Sequence, residues 1–256
     1  MKNKFLIFIA LCLTMTGHAQ NKAVSGENPV KFYDHNFFLT EGTVFSGTVK
    51  ENLYDRFPLS YKDKVREAVW NLSKNSAGIS VRFLTNSTSL RVRWELLNDL
   101  RMNHMAETGI KGIDLYFKNG TEWQYLNTAR PSGKSNDYLL IDNMTPVMRE
   151  FRMYLPLYDG VTRLEIGIDS LGDMVKPRES TRKPIVFYGT SITQGGCASR
   201  PGMVHTSIIS RKLDVDCINF GFSGNGRMEK PLAELISGID ASFYVLDGTN
   251  NMTPEQ

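Results

Sequence analysis

Pro184-Ile185-Val186-Phe187-Tyr188-Gly189-Thr190-Ser191-Ile192-Thr193-Gln194-Gly195-Gly196 runs from an unbroken apolar segment into a turn rich in small hydroxyl and glycine residues. A continuous apolar run suits a strand covered on both faces, which places it in a parallel α/β sheet. Residues 204–213 follow as a predicted helix, 215–220 as a second strand, 229–236 as a helix and 242–246 as a third strand. In open sheets of this β-α-β-α-β kind, ligands bind beyond the carboxyl ends of the strands. The loops there carry Ser191, residues 221–226 and residues 248–251, so three candidate site loops converge on one edge.

Upstream the pattern changes. Between about residues 40 and 170 apolar and polar residues alternate with the period of strands that bury one face. Ile79, Val81 and Phe83 are followed by Leu90, Val92, Trp94 and Leu96 after a polar turn, which predicts a hairpin. Ile113, Leu115 and Phe117 lead through Asn119-Gly120 into Trp123 and Tyr125, which predicts a second. Phe151, Met153, Leu155 and then Leu164, Ile166, Ile168 continue the series. Residues 21–175 therefore read as an antiparallel β-sandwich, with one helix over about 62–72, where Val65, Val69 and Leu72 recur at helical spacing. The charged, proline-containing stretch 172–183 reads as a linker, and residues 183–256 as the α/β domain.

With 41% hydrophobic and 22% charged residues among 256, the protein is neither disordered nor dependent on disulfide or metal staples. Its formal charge of +3 includes Lys2 and Lys4 of a leader, so nothing suggests a nucleic-acid partner. Those lysines, the apolar run 5–13 and Gly17-His18-Ala19 have the form of a secretory signal peptide over residues 1–19. The run is too short to span a bilayer, so a periplasmic or secreted protein without membrane attachment after cleavage is expected. Of the three cysteines, Cys12 falls in the leader; Cys197 and Cys217 remain as a pair whose bonding the sequence leaves open. His35 and His104 have no partners at ligand spacing, so neither a metal nor a cofactor is expected. Trp70, Trp94, Trp123 and the tyrosines offer faces on which a sugar stacks, although the alternation assigns Trp94 and Trp123 to the core.

A hydroxyl at a strand-to-helix turn has the geometry of a nucleophile whose neighbouring N–H groups stabilise an oxyanion. Glycine in the second loop lets a backbone N–H approach the same oxygen, and asparagine in the third can donate a side-chain N–H. Gly189-Thr190-Ser191-Ile192-Thr193 lacks the last glycine of G-x-S-x-G, and the stretch lacks the G-K-[ST] of a P-loop.

The stretch from Phe187 to Gly202 instead resembles block I of the SGNH (GDSL-like) hydrolases, with Thr190 in place of the usual Asp. Asn219-Phe220-Gly221-Phe222-Ser223-Gly224-Asn225-Gly226 resembles block II, and Gly248-Thr249-Asn250-Asn251 block III, with Asn251 for its last Asp. Residues 70–85 and 109–116 are similar to the sandwich of secreted bacterial members. The resemblance implies a flavodoxin-like α/β domain with Ser191 as nucleophile. The Ser191 and Gly224 N–H groups and an asparagine amide would form the oxyanion hole. That asparagine is Asn250 on a G-x-N-D alignment, or Asn251 on the D-C-x-P-N form with Asp247 as anchor. Implied substrates are short acyl esters, O-acetyl groups on a glycan foremost.

The family's general base and orienting acid come as D-x-x-H, and this sequence contains no such pair. The α/β domain is thus expected to be incomplete, the protein being truncated at its carboxyl end, with Thr253-Pro254-Glu255-Gln256 opening a helix without a body. His205 is expected as a solvent-facing helix residue rather than a substitute base. The alternative function is an impaired remnant acting at most as a carbohydrate-binding module.

Overall fold

The computed structural model describes residues 29–252. The leader reading and the helix start at 253–256 lie outside them. In sequence order the strands of the first part are β1 (Val30–Tyr33), β2 (Leu39–Glu41), β3 (Ser80–Thr85), β4 (Leu90–Leu96), β5 (Ile113–Asn119), β6 (Glu122–Ala129), β7 (Ser135–Ile141), β8 (Arg149–Tyr154), β9 (Val161–Asp169) and β10 (Met174–Val175). They form two antiparallel sheets, one in the order β1-β9-β4-β7, the other β10-β3-β8-β5-β6 with β2 also on β3. The alternating apolar residues meet between them: Val81, Phe83, Val92, Trp94, Leu115, Phe151 and Ile166 are all at most 1% exposed. Burying one face of each sheet against the other is the solution that period-two patterning requires.

The first predicted hairpin is not one. β3 and β4 lie in opposite sheets, because residues 86–89 carry the backbone across the sandwich. Asp169, at the end of β9, holds that crossing by accepting from Ser87 Oγ (2.6 Å) and the Thr88 amide (2.7 Å). The second hairpin forms, turning at Gly120 with φ +62° between Asn119 and Glu122. The helix expected over 62–72 begins later, as α1 (Glu67–Ser73), since Arg66 stands extended ahead of it with φ −59° and ψ 146°. A second short helix, α2 (Glu107–Lys111), precedes β5.

The stretch read as a linker begins with β10 on the edge of β3, and Arg178 and Arg182 are tied back by hydrogen bonds to Arg82 and to the Leu213 carbonyl. Beyond it come β11 (Ile185–Gly189), α3 (Ser191–Gln194), α4 (His205–Leu213), β12 (Cys217–Gly221), α5 (Lys230–Ser237) and β13 (Phe243–Asp247). The three strands pair in parallel in the order β12-β11-β13. Val186, Tyr188, Ile218 and Phe220 pack with Leu232, Ile236, Phe57, Val69 and Trp70, so α1 closes one face of this sheet together with α5.

Trp70 is 6% and Trp94 1% exposed, so neither offers a sugar-stacking face. Trp123 is not in the core either. It is half-buried where the two parts meet, donating Nε1–H to Asp214 (3.0 Å) with the Arg152 guanidinium 4.5 Å from its ring centre. Trp123 follows Glu122 just after the turn, and β6 lies against α4 as well as within its own sheet.

Among the described residues β13 has a partner on one side only, and Phe243, Tyr244, Val245 and Leu246 are 41–67% exposed. An uncharged apolar edge is a template for pairing with another molecule. Concentration-dependent association is therefore expected in sedimentation velocity, and Val245→Lys should shift the protein toward monomer; a monodisperse wild type at high concentration would contradict this.

Candidate active site

β11 ends at Gly189, and Thr190 caps α3, its Oγ1 accepting the Ile192 amide at 3.4 Å. Ser191 is the first residue of α3, so its own N–H has no acceptor within the helix. The side chain is half-buried, and its Oγ has no hydrogen-bond partner among the described residues. Its carbonyl accepts from the Gly195 (3.0 Å) and Gly196 (2.7 Å) amides and from the Tyr158 hydroxyl (3.3 Å). The turn is thus braced by a loop of the sandwich.

The second loop leaves β12 beside it. The Phe222 amide donates to Gly189 O (2.9 Å), and the Ser223 amide to Gln194 Oε1 (2.9 Å). Gln194, fully buried, also donates to the Leu157 carbonyl at 3.1 Å. Asn219, 1% exposed, donates to Thr193 O (2.6 Å) and Thr206 Oγ1 (3.1 Å) and accepts the Gly221 amide (2.9 Å). Gly226 packs so closely that a Cβ there would run into the Gly189 carbonyl. Gly224, by contrast, is exposed at φ +68° with open space where a side chain would stand.

The third loop is a single 3-10 turn, Thr249–Asn251, after Asp247, whose Oδ2 lies 3.5 Å from Thr193 Oγ1. Asn250 is exposed; Asn251 is half-buried, its Oδ1 shielded and unpartnered among the described residues. Ser191, Gly224, Asn250 and Asn251 therefore all lie on loops at one edge of the sheet.

Residues 30–174 match the family described as the N-terminus of SGNH-hydrolase-type esterases, and residues 182–256 match the GDSL-like lipase/acylhydrolase family. The protein belongs to the SGNH-type, GDSL-like hydrolases. Among solved structures it is similar to a candidate GDSL-like lipase from Bacteroides ovatus ATCC 8483, at 33% identity and a TM-score of 0.84. That match covers 89% of this protein and 66% of the other, so the present sequence spans just under two thirds of that relative's length. The fold is also that of the salicylyl-acyltransferase SsfX3 from a tetracycline biosynthetic pathway, at 15% identity and a TM-score of 0.68 over 87% of this protein and 62% of that one. No curated protein matches.

In this SGNH-type protein, several residues holding the edge together had no signature in the sequence. Arg56, 2% exposed, donates to Asn219 O (3.0 Å), Gly221 O (2.7 Å) and Leu72 O (2.7 Å), and lies over the Phe222 ring. Burial pulls its pKa down to about 9, the cost of a cation satisfied by carbonyls alone. Arg66 reaches Asn225 and Glu229. Both are isolated arginines in irregular segments, and no spacing rule singles them out. Asp114, in the 109–116 stretch that resembled the family, is fully buried and accepts the Gly202 amide of the loop between α3 and α4.

His205 is not the solvent-facing residue expected. It is half-buried, its ring edge-on to Phe187 at 5.7 Å, and burial lowers its pKa. His35 and His104 are exposed on the sandwich. Cys197 and Cys217 are both free; Cys217 is buried in β12, and burial, with Asp216 beside it, pushes its thiol up to about 12. Among the described residues there is no cluster of His, Cys, Asp and Glu able to hold a metal, and no helix long and apolar enough to cross a membrane.

Proposed function

We propose that this protein provides the nucleophile and oxyanion donors of a serine esterase acting on short acyl esters, O-acetyl groups on carbohydrate foremost. The observation that carries the reading is the Ser191 hydroxyl, unpartnered at a braced strand-to-helix turn, with the Gly224 loop and the 249–251 turn beside it. Ser191 Oγ attacks the ester carbonyl and the charge develops on the carbonyl oxygen. The Ser191 and Gly224 N–H groups and an asparagine amide receive that charge; the alcohol then leaves, and water releases the acyl group. Asn251 suits the third donor better than Asn250, because it is half-buried and so more restrained than an exposed side chain. No Asp-x-x-His pair occurs in the 256 residues, so the proton acceptor is the component this reading leaves outside the described site.

A fluorophosphonate probe tests the reading directly: slow, Ser191-specific labelling is expected, and an unlabelled folded protein sinks it. p-Nitrophenyl acetate should be preferred over a long-chain ester; the reverse preference would favour a lysophospholipase-like enzyme. Residues 1–19 support export, which an exported product beginning at Gln20 would bear out.

A further inference from the structure

We infer that Arg66 sets the position of the Gly224 amide, so that a residue from the N-terminal part of the sequence governs the second oxyanion donor. The inference rests on the esterase reading. Gly224 is held by little of its own: it is exposed, has φ +68°, and no atom approaches where its side chain would be; its carbonyl accepts one long bond from the neighbouring Arg227 Nη2 (3.5 Å), and the turn over it is closed by the Asn225 amide on the Phe222 carbonyl (2.9 Å). The loop is pinned at its ends, by Phe222 and Ser223 to β11 and α3, and by the Met228 amide to the Tyr188 hydroxyl at 3.0 Å. Between those pins, among the described residues, the one tether from a distant element is Arg66. Its Nη1 donates to Asn225 Oδ1 (2.7 Å) and its Nη2 to the Asn225 carbonyl (3.3 Å), while Nε pairs with Glu229 at the start of α5. The Asn225 side-chain amide in turn donates to Ser223 O at 2.9 Å. Asn225 thus bridges across Gly224, and Arg66 grips Asn225 by both side chain and backbone.

A rigid planar fork suits that task, and a lysine, a point charge on a flexible stem, does not. The side chains of Arg66 and Glu229 are 38% and 20% exposed, so the ion pair itself contributes little to stability. Removing an oxyanion donor costs about 10²–10³ in kcat, and displacing one costs less.

The test compares Arg66→Lys and Asn225→Ala with wild type on p-nitrophenyl acetate, together with fluorophosphonate labelling rates and thermal melting. Arg66→Lys keeps the charge facing Glu229 but loses the grip on Asn225, and is expected to lower kcat roughly 10- to 100-fold. KM and melting temperature should stay near wild type. Asn225→Ala, which cuts the side-chain contact with Arg66 and the bond to Ser223 together, should fall at least as far. Wild-type kcat in Arg66→Lys overturns the inference, as does a rise in KM alone. A fall in Arg66→Lys not matched by Asn225→Ala overturns it too, by assigning the effect to Glu229. Should Arg66→Lys not fold, Asn225→Ala is read against Asn225→Asp, which keeps the acceptor for Arg66 and loses only the donor to Ser223: equal falls in the two overturn the inference, and a smaller fall in Asn225→Asp upholds it. If wild type itself shows no Ser191-dependent labelling, the esterase reading fails and carries this inference with it. If wild type labels and both variants label at the same rate, only the role of Arg66 is lost.

Discussion

Ser191→Ala is expected to abolish fluorophosphonate labelling and to bring p-nitrophenyl acetate hydrolysis down to the uncatalysed background, with no loss of stability. The two halves of that result have separate causes. The hydroxyl is the atom that forms the covalent intermediate, and the donors around it cannot replace that bond, so no variant at the site should cost more. The same hydroxyl makes no hydrogen bond among the described residues and is half-buried, so its removal leaves no orphaned partner and should change stability by less than about 0.5 kcal/mol. Activity and melting of the variant are measured side by side. Residual labelling elsewhere, or turnover equal to wild type, would remove Ser191 from the mechanism; a large drop in melting temperature would make the serine structural.

Asp114→Ala should be the most destabilising single change at the junction of sandwich and sheet. Asp114 is fully buried; Oδ1 accepts from Thr128 Oγ1 at 2.6 Å, Oδ2 from the Gly202 amide at 2.8 Å, and Arg200 lies 3.2 Å away. Alanine would leave the amide without an acceptor and the guanidinium without its ion-pair partner, costing about 3–5 kcal/mol. Arg200, 27% exposed, recovers some hydration, which favours the lower figure. In a domain of this size each kcal/mol is worth about 2–4 °C in melting temperature, so a fall of roughly 6–12 °C is expected.

Asp114→Asn keeps an acceptor and should cost less, and it isolates a pH effect. Burial raises the Asp114 pKa to about 6 against the hydrogen bonds and Arg200 that lower it. A carboxyl whose folded pKa exceeds its unfolded value binds its proton more tightly when folded. It therefore adds stability as pH falls through about 6 toward about 4. Asp216, also raised to about 6 by burial, acts in the same sense. The difference between wild type and Asp114→Asn across pH 7 to 4.5 therefore reports Asp114, and a parallel pair of curves would refute the assignment.

The apolar run 184–188 and the alternation between Ile79 and Ile168 were sufficient for the fold class. Patterning records which faces must leave water, and those residues are the buried ones. Pairing was less legible. β3 and β4 read as a hairpin because neighbours in sequence usually pair, whereas Asp169, more than 80 residues away, holds the turn that sends them to opposite sheets. The same limit applies to the site. Ser191, the Gly224 loop and the 248–251 turn were legible as candidates because each follows a strand of the parallel sheet, and strand ends are visible locally.

What holds those loops was not visible. Arg56 caps β12 from more than 160 positions away, and Arg66 reaches Asn225 over a similar separation, with nothing in their own surroundings to distinguish them from surface arginines. Local pattern was enough for the two kinds of sheet and for three candidate loops, because strand period and turn chemistry are written within a few residues, whereas β1, β2, β7, α2 and β10 left no such mark. Strand pairing, and the burial that separates Asn251 from the exposed Asn250, emerge in three dimensions alone. So does the reach of the sandwich into the candidate site, since contacts between distant segments depend on packing that no local pattern encodes.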